Sequence, residues 1–429
     1  MINKPLIGII GLGYVGLPLF LEFSKKFEVK GFDLSKQKID LLKKKIDYTN
    51  QYKKKDLKKI SNKNIDYKSD ILKDCNFFIV TVPTPITKNK LPDLSAVVSA
   101  TKIICKYLKK NDYVIYESTF YPGVTEDICI KIIENETKLI GINNKNKNKN
   151  IDGFYYGYSP ERINPGDLKH GIKDIVKITS GSTNASAKFI DSIYKRICLA
   201  GTHKAQSIKI AESAKVIENT QRDINIALIN EFAQIFSKMN INTYDVLSAA
   251  KTKWNFLDFK PGLVGGHCIG VDPYYLAEAG KKANFNTKII LAGRNLNDSV
   301  PDYLLKNIIR KLKKDSRILL LGLSFKEDVG DIRNSKSIEL VIKIKKKNFV
   351  IDCYDPRVDK AELEREYNLK MNKPKGKYDC VIVAVAHKEF IKMNEKNILR
   401  LVNDNSYIID IKGIWNKKIS SKLKNYWCL

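Results

Sequence analysis

The sequence predicts an α/β protein with two parallel, doubly wound sheets joined by a helical middle. Short apolar strands alternate with helical stretches at both ends of the chain, a pattern typical of parallel α/β domains. A helical pattern with few breakers extends from about Ser207 to Met239 between them. The two ends also resemble each other, because 73–82 and 378–385 both have a polar entry, an apolar strand and a short turn.

With 429 residues the chain is too long for one core, so two or three domains are expected. In the first predicted domain, residues 1–203, apolar segments predict four strands and a helix after the first strand. These strands are Leu6–Ile10, Val29–Phe32, Asn76–Val82 and Val114–Tyr116, and the helix is Leu17–Phe27. The repetitive stretch Asn143–Asn150 predicts an exposed loop.

The second predicted domain, residues 204–305, is helical, with shorter helices at Thr243–Ala250 and Pro273–Lys282 after the long one. After Arg294 and Pro301 the alternation of strands and helices resumes. The third predicted domain, residues 306–429, contains a strand at Arg317–Leu321, a helix at Ser337–Lys346 and a strand at Val350–Tyr354 that ends at Asp355.

Composition favours a globular protein without a nucleic-acid or membrane partner. Apolar residues make up 43% of the chain, and no apolar segment approaches the roughly 20 residues that span a bilayer. The net charge of +29 invites a polyanion-binding interpretation, but the lysines are scattered through nearly every segment. We expect no signal peptide before the first strand and a cytoplasmic location. The eight cysteines lack C-x-x-C pairs and metal-ligand spacing, so we expect reduced thiols and no metal site.

A glycine-rich turn follows the first predicted strand. Gly11-Leu12-Gly13-Tyr14-Val15-Gly16 opens a helix, and Asp33 ends the second strand. In this context glycines allow close backbone approach to a pyrophosphate at a helix N-terminus, which predicts NAD binding. An aspartate at that strand end accepts hydrogen bonds from ribose hydroxyls and favours NAD over its phosphorylated form, although nearby Lys38 weakens this preference. The two sheet-containing domains are therefore predicted to be Rossmann-like.

Polar side chains also follow two other strands and occupy one face of the long helix. Thr84 comes after Asn76–Val82, and Ser118 and Thr119 come after Val114–Tyr116. Polar residues at these positions are as common in loops without a ligand as in ligand-binding loops. Lys215 and Asn219 are four residues apart and share one helix face. Such a pair can hold an oxygen that gains negative charge during hydride transfer, and a solvated helix face is the alternative.

The loop Tyr158–Gly166 and the glycine-rich turn 262–272 supply the remaining candidates. Glu161 in the loop is a candidate base or water-orienting group, and Arg162 is a candidate partner for phosphate or carboxylate. Cys268 lies among glycines four residues before Asp272, so its thiol is a candidate covalent nucleophile. Taken singly, a cysteine is more often a buried small hydrophobe.

Together these motifs resemble the UDP-glucose/GDP-mannose dehydrogenase family along almost the whole chain. The closest branch acts on UDP-N-acetylhexosamines and is of the Vi-antigen biosynthesis type. The most specific stretches are 158–167, 214–227, 253–276 and 322–328. The resemblance implies a homodimer that contacts through the central helix. It also implies oxidation of a sugar C6 alcohol to a carboxylate with two NAD, through a Cys268 thioester, for surface polysaccharide synthesis.

The resemblance also implies roles for individual residues. Cys268 is the nucleophile, Lys215 and Asn219 bind the reacting oxygen, and Asp272 activates water with help from Glu161 and Thr119. Cofactor contacts fall on Gly11, Leu12, Gly13, Tyr14, Val15, Gly16, Asp33, Lys38, Thr84, Ser118, Thr119 and Arg333. UDP-sugar contacts fall on Glu161, Arg162, Ile163, Asn164, Pro165, Lys215, Asn219, Phe259, Gly262, Gly265, Phe325 and Lys326. The third domain, with only Gly322 in its turn, would hold the uridine diphosphate.

Two departures from the family pattern bear on the substrate. Glucose-type relatives carry an arginine shortly before the catalytic glycines, donated across the dimer interface, where this chain has Lys251-Thr252-Lys253. The family's Asp-x-Arg near the C-terminus is Asp410-Ile411-Lys412. Both weaken an assignment to UDP-glucose and leave the cross-subunit contact open. The Ser159-Pro160-Glu161-Arg162 loop, where Arg162 can face an acetamido group, favours UDP-N-acetylglucosamine first. We expect UDP-N-acetylgalactosamine second and UDP-N-acetylmannosamine third, with UDP-glucose as a further alternative.

Two other classes of protein compete with this interpretation. Simple β-hydroxyacid dehydrogenases share the glycine turn and a Lys-x-x-x-Asn helix, but they transfer one hydride and lack the cysteine turn and the third domain. A basic, NAD-sensing nucleic-acid binder is the non-enzymatic alternative. The number of NADH formed per substrate separates the first class, and salt-sensitive binding to DNA or RNA separates the second.

Overall fold

The computed structural model of the protein describes residues 5–49, 51–148, 151–163, 171–267 and 269–429. They form two compact units. The first unit contains the chain up to Glu218 together with Tyr274–Phe285, and the second contains Asn219–Pro273 and Asn286–Leu429. Each unit contains a parallel sheet, which confirms the predicted α/β class. The division into three domains at 203/204 and 305/306 stays a prediction.

The first unit is built on a seven-stranded parallel sheet with the order β3-β2-β1-β4-β5-β7-β6. The strands are β1 Leu6–Ile10, β2 Glu28–Phe32, β3 Ile65–Asp66, β4 Phe77–Val80, β5 Tyr113–Tyr116, β6 Ile140–Gly141 and β7 Gly153–Tyr158. A small parallel pair consists of β8 Lys177–Thr179 and β9 Thr202–Lys204. The α-helices are α1 Gly16–Phe23, α2 Lys36–Lys43, α3 Ser95–Cys105, α4 Ile130–Thr137 and α5 Asn184–Lys195.

The central strands β1, β4 and β5 of the first sheet are apolar throughout, as is typical of a parallel sheet buried on both faces. Ile7 and Ile9 of β1 and Phe77 and Ile79 of β4 are completely buried. Helix α5 begins at a capping box in which the Thr183 hydroxyl accepts from the Ser186 backbone N–H and the Ser186 hydroxyl accepts from the Thr183 N–H. The buried sheet therefore brings the carboxyl ends of β1, β4 and β5 to one edge, where ligands of such sheets bind.

The second unit combines long helices with a five-stranded parallel sheet of order β11-β10-β12-β13-β14. Its strands are β10 Arg317–Leu321, β11 Val350–Tyr354, β12 Tyr378–Val383, β13 Val402–Asp410 and β14 Tyr426–Cys428. The helices that follow α5 are α6 Ile208–Lys238, α7 Thr243–Ala250, α8 Asp272–Lys282, α9 Lys288–Lys311, α10 Lys336–Lys345, α11 Lys360–Tyr367, α12 Lys388–Ile391, α13 Glu395–Leu399 and α14 Asn416–Ile419. Within the described ranges, no helix is both long and apolar enough to cross a membrane.

The predicted alternation of strands and helices after Arg294 and Pro301 is confirmed by β10, α10 and β11, which follow the long helix α9. The helix continues through Pro301 to Lys311. A proline inside a helix costs roughly 3 kcal/mol, but Val300, Leu304 and Ile308 of the same face are completely buried in the core of the second unit. Tertiary packing of this face therefore outweighs the local preference.

Candidate active site

The glycine-rich turn after β1 has the backbone that a dinucleotide site requires. Gly11 has φ +94°, and its N–H donates to the Phe32 carbonyl over 2.8 Å. A Cβ on Gly16 would lie 1.8 Å from the Gly11 carbonyl oxygen. A Cβ on Gly13 would meet only the Tyr48 hydroxyl, at 3.7 Å. Gly11 and Gly16 thus serve the turn itself, whereas space remains over Gly13 for a ligand beside the N-terminus of α1.

Asp33 joins this turn to the end of β2. One carboxylate oxygen accepts from the Leu12 N–H at 3.0 Å, and the other accepts from the Ser35 N–H at 2.9 Å. The Lys38 ammonium lies 3.9 Å from the first oxygen, and the Tyr48 hydroxyl donates to the Leu12 carbonyl over 3.0 Å. The structure therefore brings Asp33 and Lys38 to the glycine turn, and this set of donors and acceptors fits an NAD molecule.

Polar residues after β4 and β5 lie at the same edge of the sheet. The buried Ser118 hydroxyl donates to the Val82 carbonyl over 2.6 Å, and the Ser118 carbonyl accepts from the Tyr158 hydroxyl at 3.0 Å. Thr84 and Thr119 are half-buried. The hydroxyl of Ser118 thus already fixes the spacing of the two strand ends, because β4 and β5 are neighbours in the sheet.

The loop after β7 carries Glu161 and Arg162. A carboxylate oxygen of Glu161 accepts from the Ile163 N–H. The Arg162 guanidinium binds the Glu218 carboxylate, with its closest approach at 2.8 Å, and donates to the Val176 carbonyl over 2.7 Å. Arg162 therefore pairs with a carboxylate of its own chain. The predicted contacts at Asn164 and Pro165 lie outside the described residues.

Helix α6 carries both Lys215, which is buried, and Asn219, which is half-buried. The Asn219 amide donates to an Asp272 carboxylate oxygen over 2.6 Å. Asp272 is completely buried in the first turn of α8, where a carboxylate also interacts favourably with the helix dipole. Two residues selected from separate parts of the sequence, Asn219 and Asp272, are thus in direct contact.

The glycine-rich turn 262–267 is closely fitted to its surroundings. A Cβ on Gly265 would lie 2.4 Å from the Asn334 carbonyl oxygen, and a Cβ on Gly266 (φ +84°) would lie 2.6 Å from the Phe325 ring. Burial and the charge of Arg333 lower the pKa of His267, so its imidazole is neutral at pH 7. Cys268 lies outside the described residues.

Sequence reasoning missed the buried polar network that holds this turn. The Asn230 side chain accepts from the Gly262 N–H at 2.8 Å and donates to the Gly262 carbonyl at 3.0 Å. It also donates to Asn297, which donates to Asp223. Asp223 forms an ion pair with Arg294 at a completely buried site. No local pattern marks these residues, because the partners that bond to each other lie far apart in the sequence, on α6, on α9 and in the glycine turn.

The loop after β10 has its own buried support. Asp355 accepts from the Leu323 and Ser324 N–H groups, at 2.7 and 3.0 Å. His387 Nε2 lies 3.0 Å from the same carboxylate oxygen, and its Nδ1 accepts from the Asp328 N–H at 2.9 Å. Asp328, His387 and Glu389 are close enough to bind a metal ion, but both nitrogens of His387 are already engaged. His387 therefore stabilises the loop that contains the predicted contacts Phe325 and Lys326.

The remaining predicted contacts of the second unit surround the glycine turn and this loop. Phe259 is half-buried before the turn. Lys412, which replaces the family's arginine, lies 3.4 Å from Glu327, and its ammonium would be 2.7 Å from a Cβ on Gly262. Arg333 binds Asp331 through two hydrogen bonds. A Cβ on Gly262 would therefore displace the end of the Lys412 side chain from its present position.

Sequence comparison matches three domains of one family. Residues 5–198 match the NAD binding domain of the UDP-glucose/GDP-mannose dehydrogenase family, residues 209–299 match its central domain, and residues 319–417 match its UDP binding domain. The matches cover the seven-stranded sheet and most of the five-stranded sheet, whose β14 lies beyond residue 417. They separate the chain from the single-hydride β-hydroxyacid dehydrogenases considered above.

Curated relatives are similar over nearly their full lengths. UDP-N-acetyl-D-glucosamine 6-dehydrogenase of Pseudomonas aeruginosa is 48% identical over 95% of this chain and 96% of its own. The enzyme with the same name from Salmonella typhi is 46% identical over 96% and 97%. The solved structure of UDP-D-ManNAc dehydrogenase from Pyrococcus horikoshii has a TM-score of 0.83 at 27% identity, covering 98% of both chains. The chain therefore belongs to the UDP-glucose/GDP-mannose dehydrogenase family and is an NAD-dependent oxidoreductase of UDP-sugars.

Proposed function

We propose that the protein oxidises the C6 hydroxymethyl group of UDP-N-acetylglucosamine to a carboxylate, through a thioester on Cys268. The observation that supports this most directly is the Asn219–Asp272 contact, which joins a hydroxyl-binding amide to a buried carboxylate four residues after the cysteine. The substrate rests on the two relatives named for UDP-N-acetylglucosamine, at 48% and 46% identity. UDP-N-acetylgalactosamine, UDP-N-acetylmannosamine and UDP-glucose are the alternatives.

The overall reaction consumes one alcohol, two NAD⁺ and one water, and yields one carboxylic acid, two NADH and two protons. Each bound NAD⁺ supplies a hydride acceptor. The residues proposed to hold it are Gly11–Gly16, Asp33, Lys38, Thr84, Ser118, Thr119 and Arg333. Support comes from the open space over Gly13 and from the position of Asp33 at the turn.

In the first oxidation the sugar hydroxyl loses its proton and C6 loses a hydride, which gives an aldehyde. Lys215 and Asn219 would hold the reacting oxygen while negative charge develops on it. An amide nitrogen carries two N–H donors. One of those of Asn219 is used on Asp272, and we assign the other to the substrate hydroxyl.

Cys268 makes the second oxidation possible. Its thiolate adds to the aldehyde carbon, and the tetrahedral thiohemiacetal loses a second hydride to become a thioester. Burial raises the pKa of the seven other thiols to about 11 or 12. Those seven remain protonated at neutral pH and are poor nucleophiles.

Hydrolysis of the thioester completes the reaction. Asp272 would take a proton from the attacking water, with Glu161 and Thr119 orienting that water, and the thiolate leaves as the carboxylate forms. The UDP-sugar would be held by the predicted residues in 161–165 and by Lys215, Asn219, Phe259, Gly262, Gly265, Phe325 and Lys326. The Phe325 ring against Gly266 supports a shared role for the loop after β10 and the glycine turn.

We further propose a cytoplasmic homodimer of three-domain chains that contributes to surface polysaccharide synthesis. An apolar stripe on α6 supports the dimer, because its members are 46% to 52% exposed and recur at helical spacing. The stripe consists of Ile210, Ile217, Leu228 and Ile235. We expect no nucleic-acid partner, no membrane partner and no metal ion.

Absorbance at 340 nm with a panel of the four UDP-sugars tests this function. We expect turnover of UDP-N-acetylglucosamine with two NADH per sugar. Turnover of UDP-glucose alone would contradict the substrate, and one NADH per sugar would contradict the reaction. The variant Cys268→Ser should bind NAD normally and release no uronic acid, and release at the wild-type rate would exclude the thioester.

A further inference from the structure

A buried lysine outside the proposed reaction contacts the Glu161 loop. Lys177 begins strand β8, and only 7% of its side chain is exposed. Its ammonium lies 2.5 Å from Glu117 and 3.0 Å from the carbonyl oxygen of Pro160. The same ammonium lies 4.0 Å from the second carboxylate oxygen of Glu161. One cation thus lies beside Glu117, the residue that follows β5, and beside both the Pro160 carbonyl and the Glu161 carboxylate.

The surroundings of Lys177 keep it charged. Burial opposes a charged lysine, but the carboxylates of Glu117 and Glu161 raise the pKa of Lys177 above its usual value. The Tyr194 hydroxyl donates to the other oxygen of Glu117, and the Tyr194 ring lies 5.6 Å from the ammonium. Cys198 also faces the lysine. The site is therefore built around a permanent cation rather than a neutral amine.

Glu161 has fewer hydrogen-bond partners than Glu117 among the described residues. One oxygen of Glu161 accepts from the Ile163 N–H, and the other is buried without a hydrogen-bond partner among the described residues. Within that part of the chain, Lys177 is the cation that forms an ion pair with Glu161. Tyr52, Glu117 and Cys198 are the other described titratable groups whose charges interact with Glu161. Without Lys177, the carboxylates of Glu117 and Glu161 would face each other uncompensated.

We propose that Lys177 is a positioning residue for the hydrolysis of the thioester, which it serves by holding the Pro160 carbonyl and the Glu161 carboxylate in place. This role rests on the proposed function, in which Glu161 orients the attacking water. Lys177 itself touches neither substrate nor cofactor. Its effect should appear in the hydrolysis step and in the dependence of that step on pH, because loss of a buried cation changes the electrostatic environment of the site.

The test compares the full-length wild-type enzyme with three variants. Lys177→Met alone leaves Glu117 as an unpaired buried charge and endangers folding, so Lys177→Met/Glu117→Gln removes both charges of the pair. Lys177→Arg keeps the cation. Tyr194→Phe is the matched control, since it removes a hydrogen bond to Glu117 and leaves the Lys177–Glu161 pair intact. Thermal unfolding and NAD binding show whether each variant is folded.

Hydrolysis is followed after a single turnover with UDP-N-acetylglucosamine, by intact-protein mass spectrometry of the acylated enzyme at several pH values. We expect the double variant to hydrolyse the adduct at least about tenfold more slowly. We also expect the acid limb of its pH–rate profile, where the rate falls as the pH is lowered, to shift by about one unit to higher pH. The double variant also loses the hydrogen bond from Lys177 to the Pro160 carbonyl, which Glu117→Gln does not replace. Lys177→Arg and Tyr194→Phe should keep the wild-type acid limb.

Two results would overturn the role of Lys177, and they differ from each other. If the wild-type enzyme forms no adduct on Cys268, the proposed function fails and the role of Lys177 fails with it. If the adduct forms and the folded double variant hydrolyses it with wild-type rate and pH dependence, only the role of Lys177 fails. The role is supported if the double variant hydrolyses the adduct more slowly and with a shifted acid limb, while Lys177→Arg keeps the acid limb of the wild-type enzyme.

Discussion

The side-chain amide of Asn219 donates to the carboxylate of Asp272 over 2.6 Å, at a point where Asp272 is completely buried. The two residues are 53 positions apart in the sequence. In the proposed reaction Asn219 serves the oxidation steps and Asp272 serves hydrolysis. The contact means that neither side chain can move far without disturbing the other, so both steps depend on one local geometry.

Asp272→Asn should block hydrolysis more than oxidation. An amide at this position cannot take a proton from water, so acylated enzyme should accumulate while steady-state turnover falls by about 10²- to 10⁴-fold. The measurement is intact-protein mass after mixing with substrate and NAD. Asp302→Asn, at an exposed ion pair with Lys343, is the control and should keep wild-type turnover. An Asp272→Asn enzyme with unchanged turnover would remove Asp272 from the proposed chemistry.

Two glycines of the first turn should respond differently to alanine. A Cβ on Gly13 has no contact closer than 3.7 Å, so Gly13→Ala should fold with stability within about 0.5 kcal/mol of wild type. It should still raise the KM for NAD by at least about tenfold, because the methyl group occupies the space above the turn. A Cβ on Gly16 would lie 1.8 Å from the Gly11 carbonyl oxygen, so Gly16→Ala should lower the melting temperature itself. Equal KM values for Gly13→Ala and wild type would contradict the assignment of this turn to NAD.

The sequence predicted the repeat that relates the two sheets. Gly11 and Gly322 both have φ +94°. In each turn the backbone N–H of the residue after the glycine donates to the aspartate that follows the neighbouring strand. The distances are 3.0 Å from Leu12 to Asp33 and 2.7 Å from Leu323 to Asp355. This agreement was predictable because a strand, a glycine turn and an aspartate at the next strand end form a local pattern.

Asn230→Ala should damage the catalytic turn from a distance. Asn230 bonds both backbone groups of Gly262, and its loss leaves a buried donor and a buried acceptor unpaired. We expect a loss of about 2–5 kcal/mol in the free energy of unfolding together with a lower kcat. Chemical denaturation and steady-state kinetics measure the two effects. Asn225→Ala is the control on the same helix, where the side chain bonds only the Gln221 carbonyl, and should change neither quantity appreciably.

Long-range polar contacts could not be predicted from the sequence. Arg162 binds Glu218 across 56 positions, and Lys177 binds Glu117 across 60. The chain contains 76 lysines and arginines, so no single one is distinguished by its residue type or its spacing. Their partners are fixed only when the strands, α5 and α6 pack together. Asp33 at a strand end and Asn219 on a helix face could be predicted from the sequence because local patterns define such positions.

Thiol labelling should single out one cysteine. Burial raises the pKa of the seven other thiols to about 11 or 12, so their thiolate fraction at pH 8 is below about 1%. Brief treatment with iodoacetamide should therefore add one group per chain, on Cys268, and abolish activity. Cys268→Ser should take up no label under the same conditions. Labelling of Cys105, the least buried of the seven, before Cys268 would contradict the proposed nucleophile.

Charge on the apolar stripe of α6 should dissociate the proposed homodimer. Leu228 and Ile235 are seven residues apart, and 46% and 47% of their surfaces are exposed in a single chain. Glutamate at both positions would place two charges in a desolvated interface, at a cost of several kcal/mol. Light scattering coupled to size-exclusion chromatography should give the dimer mass for wild type and about half of it for Leu228→Glu/Ile235→Glu. Leu199→Glu, at an isolated residue that is 78% exposed, should remain dimeric. A double variant that stays dimeric, or a wild-type enzyme that is monomeric, would show that this face of α6 is not the interface.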